Sequence, residues 1–551
     1  MKTRRMAGVA ASILAGSLVL AACSGTDSGN EGDGETAGGE ETTAAEGGAA
    51  SGEVISLWGG EPQNPLIPTS TNETNGGKIT DMIFAGLVYY DAEGAVHNEV
   101  AESIETEDAQ NYTITLEDGW TFTDGSPVTA QSFVDAWNYG ALLSNAQPNS
   151  YFFESIEGFS YDEDSELTGL EVVDDLTFTV ALKQPEADFP LRLGYTAYVP
   201  LPEVAFEDME AFGENPIGNG SYMLDGEGAW EHNVGISLVP NPDYSGDRVA
   251  QNGGVDVVFY EQTEAAYNDL LSGNLDVMDT IPDSALGTYE EELAGRSVNQ
   301  PAAIFQAFTF PEYLPEWAGE AGLLRRAAIS HAINREEITE TIFQGTRTPA
   351  SDFTSPVIDG WSDSIPGSEV LEYDPERAQE LWAEAEAIEP FTGTFTLAYN
   401  SDGGHQAWVD AVTNGIRNDL GIEAEGQPYA TFAELLDDRD AGTMTGPFRS
   451  GWQADYPGLN NFLGPLYYTG AGSNDGQYSN PEFDALIDEA NAAESVEDAN
   501  TLLQQAQEIL FRDLPQVPLW YSNVNGGWAE GVDNVEFAWN SVPLMYQVTK
   551  G

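Results

Sequence analysis

The run Gly451-Trp452-Gln453-Ala454-Asp455-Tyr456-Pro457 carries the residues best suited to chemistry in this chain. Asp455 is a single carboxylate in an otherwise uncharged run, between the aromatic residues Trp452 and Tyr456 and close to a proline. Arg449 precedes it by six positions. Turned into one cleft, the two suit the ends of a zwitterion: a carboxylate for an ammonium, a guanidinium for a carboxylate. Taken alone, the same residues serve equally well as core aromatics with Asp455 capping a turn before Pro457. Both readings stand at this point.

Other chemistries find little support. The four histidines, His97, His232, His331 and His405, show no paired spacing, and no HExxH is present. Cys23 is the only cysteine. Nucleophile-elbow and Walker A patterns are absent; Gly76-Gly77-Lys78-Ile79 lacks the Ser or Thr after its lysine and reads as a loop entering a helix. Asp164, Glu166, Thr168, Gly169 and Asp175 partly match a calcium loop, with glycine sixth and an acid twelfth. Their flanks read as strands, so a polar loop into a hairpin is expected. With 93 acidic residues, carboxylate pairs of glycosidase type arise by chance and carry no weight. No residue stands out as a poised nucleophile. The expectation is that the protein is not an enzyme, with no metal and no cofactor.

The formal charge is −75, from 18 basic and 93 acidic residues spread along the chain. That excludes nucleic acid as a partner, because phosphate is repelled. It points to a highly solvated surface. Hydrophobic content of 41% and aromatic content of 11% support a substantial core.

The elements that must position the candidate residues alternate short strands and helices, a mixed α/β (α+β) pattern. Strands are expected at 54–58, 111–116 and 395–399, and a hairpin at 170–182 around Asp174-Asp175. Helices are expected at 78–87, 129–143 with Thr129 as cap, 265–271, 323–332, 375–387 behind Asp374, 406–420, 481–490 behind Asn480, and 498–511. There is no internal repeat. Roughly 500 residues of mixed pattern suggest two or more lobes joined by crossing strands.

Residues 1–22 read as an export signal, with Lys2, Arg4 and Arg5 ahead of a short apolar run. Leu20-Ala21-Ala22-Cys23 resembles a bacterial lipobox, which implies cleavage before Cys23 and acylation of that residue. Residues 23–52 are, apart from Cys23 and Asn30, Gly, Ser, Thr, Ala and acids, the composition of a disordered tether.

Several segments in series resemble the extracellular solute-binding proteins, family 5, of oligopeptide and dipeptide ABC importers. They are Leu116-Glu117-Asp118-Gly119-Trp120 through Ala130, Asn215-Pro216-Ile217-Gly218-Asn219-Gly220-Ser221-Tyr222, Asn241 to Gly246, Arg325 to Ile338, Gly451 to Pro457, and Val517-Pro518-Leu519-Trp520-Tyr521. Glu61 to Pro68 is similar to actinobacterial members. The resemblance covers nearly everything after the tether. It implies a two-lobe periplasmic-binding-protein fold (type II, cluster C) with an extra subdomain and hinge strands. Lobe I falls at 53–97, 210–305 and 520–551, the inserted subdomain at 98–209 and lobe II at 306–519. It also implies β-strand addition of an extended peptide in the cleft. Asp455 then takes the peptide α-ammonium, and Gly451, Trp452 and Gln453 pair with its backbone beside Tyr456. Arg449 takes the ligand carboxylate at some lengths, and a second ligand strand lies near Thr69-Ser70-Thr71. The implied partners are an oligopeptide, the permease of an ABC importer, and the membrane through lipid on Cys23, the protein being monomeric on the extracytoplasmic face. The rival ligands are an oligosaccharide stacked on Trp58, Trp452 and Trp520, or a metal chelate. A rival role is a surface receptor for a signalling peptide.

Overall fold

The computed structural model describes residues 52–430 and 432–551. The signal segment, Cys23 and the tether up to residue 51 lie outside the described residues. Among the described residues no helix is long and apolar enough to cross a membrane.

Two 13-residue strands, Ser297–Thr309 and Gln516–Trp528, organise the molecule. They pair antiparallel at the centre of a 12-stranded sheet. On one side the sheet continues through Val277–Met278, Val54–Gly59, Gly254–Phe259, Gly235–Pro240 and Tyr222–Leu224. On the other side it continues through Phe448–Gln453, Phe395–Asn400 and Ala424–Tyr429. A separate antiparallel sheet of four strands, Ala101–Thr106, Asn111–Leu116, Thr177–Ala181 and Leu170–Asp174, carries the expected hairpin.

The core is divided. One apolar cluster joins Ile55, Leu57, Ile79, Phe133, Trp137 and Phe178 with Val524 and Phe537. Two others draw on Phe305, Phe353, Phe462 and Tyr521, and on Phe308, Phe395, Trp408 and Trp520. The central strand Gln516–Trp528 therefore starts in the second set of cores and ends in the first. The change of core falls inside the strand, after Trp520 and Tyr521, just beyond the expected boundary between 519 and 520. The pairing of the two long strands slips in register between Pro301 and Phe305 and again between Gln306 and Ala307. Such bulges bend and twist a ladder locally.

Local sequence accounts for most of the helices. Thr129 and Ser132 form a capping box ahead of Ala130–Ala141, and Asp374, Asn480 and Ser495 cap Pro375–Ile388, Pro481–Asn491 and Val496–Asp513. The expected helix at 78–87 instead spans Thr74–Ile83, because the Glu73 carboxylate accepts from Asn75 N and Gly76 N and starts it earlier. The segments that carried the family resemblance mostly hold backbone in place. Asn219 exchanges hydrogen bonds with Ala85 N and Ala85 O, and Arg335, buried, donates to the carbonyls of Pro518, Ser330 and Leu371.

Candidate functional site

The strand Phe448–Gln453 runs antiparallel to Ser297–Thr309, with Gln453 opposite Ile304 and Gly451 opposite Gln306. Ala454 N donates to Ala303 O at 2.9 Å. In an antiparallel ladder alternate residues bond to the same neighbour, so Ser450, Trp452 and Ala454 face Ser297–Thr309. Gly451 and Gln453 direct their N–H and C=O groups to the opposite edge. The strand on that side, Phe395–Asn400, meets this one only at Ala398 and Phe448. Gly451 and Gln453 are exposed, and they form an open edge to which another extended chain can add.

The strand stops at Gln453. Pro457, without an N–H, follows, and the helix Asn460–Tyr467 begins. Asn461, 2% exposed, ties this corner together. Its Oδ1 accepts from Asp455 N and from Trp452 Nε1, both at 3.0 Å, and its Nδ2 donates to Asp455 Oδ2 at 3.2 Å. One side chain thus fixes both the carboxylate and the indole. No local signal in the sequence marks Asn461, because an Asn-Asn pair at a helix start reads as ordinary capping.

Asp455 is half-buried and lines two cavities. The first, about 270 Å³, is shared with Thr71, Lys78, Tyr90, Tyr195, Arg248 and Gln453. The second, about 820 Å³, is shared with Tyr151, Arg192, Trp452, Tyr456 and Asn460. Residues from both sets of cores face Asp455 across these spaces. Burial pushes its carboxyl up to about 6, and the Asn461 hydrogen bond offsets only part of that. The cations nearby are already matched by carboxylates. Lys78 pairs with Asp279 at 2.6 Å, Arg248 with Glu99 at 2.9 Å and Asp81 at 3.3 Å, and Arg192 with Glu186 at 2.7 Å and Asp188 at 2.9 Å. Among the described residues Asp455 has no ion-pair partner and stands uncompensated, a half-buried carboxylate set at the end of an open strand edge.

The remaining expected residues separate. Arg449 lines a different recess, of about 200 Å³, with Trp408, Gly451, Trp452, Gln453 and Trp520. Its Nε donates to Asn400 Oδ1 at 2.7 Å and its guanidinium lies 4.3 Å from the Phe432 ring centre. Gln453 borders both this recess and the smaller Asp455 cavity, so the two sit along one edge. Tyr456 is 5% exposed, and its hydroxyl donates to Asp188 Oδ2 at 2.8 Å and not to the cleft. Pro68, Thr69 and Ser70 form a turn and Thr71 follows it in irregular backbone, in place of the expected strand. Ser70 N and Thr71 N donate back to Ile67 O, and the buried Thr69 and Thr71 hydroxyls bond Gln147 and Ile67 O. Of Thr69, Ser70 and Thr71, only Thr71 reaches the Asp455 cavity. Trp520, one of the rings weighed for sugar stacking, is wholly buried, and Trp58 lies under the Lys78 ammonium.

Comparison with known proteins shows the family and the fold. The model of the bacterial extracellular solute-binding proteins, family 5 (middle), matches residues 95–474. The oligopeptide-binding protein OppA of Bacillus subtilis is 24% identical over 482 residues, spanning 83% of this chain and 85% of OppA. The structure of the Escherichia coli murein tripeptide binding protein MppA aligns with a TM-score of 0.74 at 22% identity, covering 91% of this chain and 99% of that one. Haemophilus influenzae OppA, in complex with RPPGFSPFR, aligns with a TM-score of 0.70 at 23% identity, covering 91% of this chain and all of that one. These structures share the two-lobe fold. The chain belongs to the bacterial extracellular solute-binding proteins of family 5, which bind substrates and are not enzymes.

Proposed function

We propose that this protein captures oligopeptides in the cleft at Asp455 and delivers them to the permease of an ABC importer, anchored to the extracytoplasmic face of the membrane by lipid on Cys23. The observation that carries the reading is the uncompensated, desolvated Asp455 at the end of the Gly451–Gln453 edge. A peptide running antiparallel to that edge exchanges backbone hydrogen bonds with Gly451 and Gln453, groups that every peptide sequence satisfies. Its α-ammonium meets Asp455, whose attraction strengthens as closure excludes water. The carboxylate end extends along the strand toward Arg449. Lobe I, the inserted subdomain and lobe II, with the crossing on the last long strand placed after Tyr521, move about the two long central strands. The buried Trp520 and the covered Trp58 argue against sugar stacking, and the peptide-binding relatives favour peptide.

Calorimetry with tetra-alanine and N-acetyl-tetra-alanine tests this. Binding of the free-amino peptide and loss of most affinity on acetylation is the expected result. Equal affinity for the two removes the ammonium role and the reading with it.

A further inference from the structure

The smaller cavity at Asp455 has a wall that neither the ammonium nor the backbone edge uses. Gln453, Ala454 and Asp455 all line it, whereas the larger cavity touches only Asp455 of the three. It therefore lies beside the first residue of a peptide whose ammonium sits on Asp455 and whose backbone runs along Gln453. Tyr90, Tyr195, Val542 and Leu544 line the same cavity. All four are half-buried, so each keeps apolar surface that the folded core does not cover. Both rings are held by other contacts. Tyr90 meets the Trp539 ring edge-on with centres 5.5 Å apart and donates its hydroxyl to Leu191 O at 2.6 Å. Tyr195 stacks on Phe152 at 4.2 Å and 23°. Rings fixed in this way lose little freedom when a ligand arrives. The charged groups on this wall, other than Asp455, are already matched. Lys78 pairs with Asp279, Arg248 with Glu99 and Asp81, and Glu73 accepts from Asn75 N and Gly76 N. With Asp455 on the α-ammonium, a charged side chain placed here loses water and finds no new partner, which costs free energy. An apolar one gains by leaving water. The volume of about 270 Å³ falls below that of whole small-molecule sites, about 300–1,000 Å³, and suits one large side chain.

We propose that this cavity takes the first side chain of the bound peptide and selects large apolar residues there, phenylalanine above all, because a ring packs favourably against the rings of Tyr90 and Tyr195. The inference rests on the peptide reading above and names its substrate class.

Calorimetry with Phe-Ala-Ala-Ala, Leu-Ala-Ala-Ala, Lys-Ala-Ala-Ala and tetra-alanine, each also N-acetylated, tests the assignment. The phenylalanine peptide binds roughly tenfold or more tightly than tetra-alanine, the weight of one buried large side chain. The leucine peptide falls between them, and the lysine peptide binds no better than tetra-alanine. Val542→Phe fills the cavity and lowers the phenylalanine-to-alanine ratio. Leu544→Gln keeps most of the bulk, makes the wall polar and lowers the ratio as well. Equal affinity for the phenylalanine and alanine peptides, with acetylation still abolishing binding, overturns the side-chain assignment and leaves the peptide reading intact. A lysine peptide as tight as the phenylalanine one, or a ratio that neither variant changes, also overturns it. Failure of every peptide to bind at millimolar concentration, or indifference to acetylation, overturns both.

Discussion

Asp455→Asn separates what the site costs the empty protein from what it does for the filled one. Burial lifts the Asp455 carboxyl from 3.8 to about 6. A rise of about two units is worth roughly 3 kcal/mol between the protonated and ionised forms. Because the folded-state value lies above the unfolded one, the group's stabilising contribution is complete below pH 3.8 and is lost as pH rises through about 6. At pH 8 the unliganded protein therefore carries an ionised carboxylate in a poorly solvated place, and the asparagine variant does not. The amide oxygen of the variant still accepts from Asn461 Nδ2, so the corner is preserved. The unliganded variant should be more stable than the parent by up to ~3 kcal/mol at pH 8, with the advantage shrinking toward zero near pH 4. With a free-amino peptide present the order reverses, since the variant loses about 2–5 kcal/mol of binding. Urea unfolding followed by tryptophan fluorescence, with and without tetra-alanine at several pH values, reads both effects. A variant less stable than the parent at pH 8 without ligand, or an advantage that does not change with pH, refutes the account of Asp455 as an uncompensated charge.

Other consequences can be checked separately. Affinity for a free-amino peptide should fall about tenfold per pH unit below about 6, as Asp455 takes up a proton, while an acetylated peptide shows no such slope. Asn461→Ala leaves Asp455 N and Trp452 Nε1 without their acceptor, so binding should weaken by about 1–3 kcal/mol with a shift in Trp452 emission; an unchanged affinity denies it a positioning role. Tyr456→Phe removes the hydrogen bond to Asp188 between the two sides of the cleft. It should speed peptide release in stopped-flow measurements by several-fold, about 1 kcal/mol, with little change in association. Arg335→Ala strands the carbonyls of Pro518, Ser330 and Leu371 and should cost roughly 3 kcal/mol or more of stability, measured by denaturant midpoint, without altering peptide preference.

Much of this protein was legible in the chain itself. Caps such as Asp374, Asn480 and Thr129, and the alternation in Asn111–Leu116, are local signals, and local hydrogen bonding realised them. Asp455 stood out because one charge among aromatic neighbours in an acidic protein is conspicuous. The helix at Thr74–Ile83 began earlier than its apolar pattern implied, since glutamate at a cap is a weak sequence sign. Tertiary structure decided the rest. Whether Asp455 lacks a cation depends on Asp279, Glu99, Asp81, Glu186 and Asp188 having claimed Lys78, Arg248 and Arg192, pairings mostly distant along the chain. Tyr456 turned to Asp188, 268 residues away, and Thr69 to Gln147, because a buried hydroxyl must find a partner wherever the fold brings one. Residue type and spacing determined which groups were available and which elements carried them. Only the closing of the sheet around the two long strands determined which charges were neutralised and that the half-buried Asp455 was left without a cation.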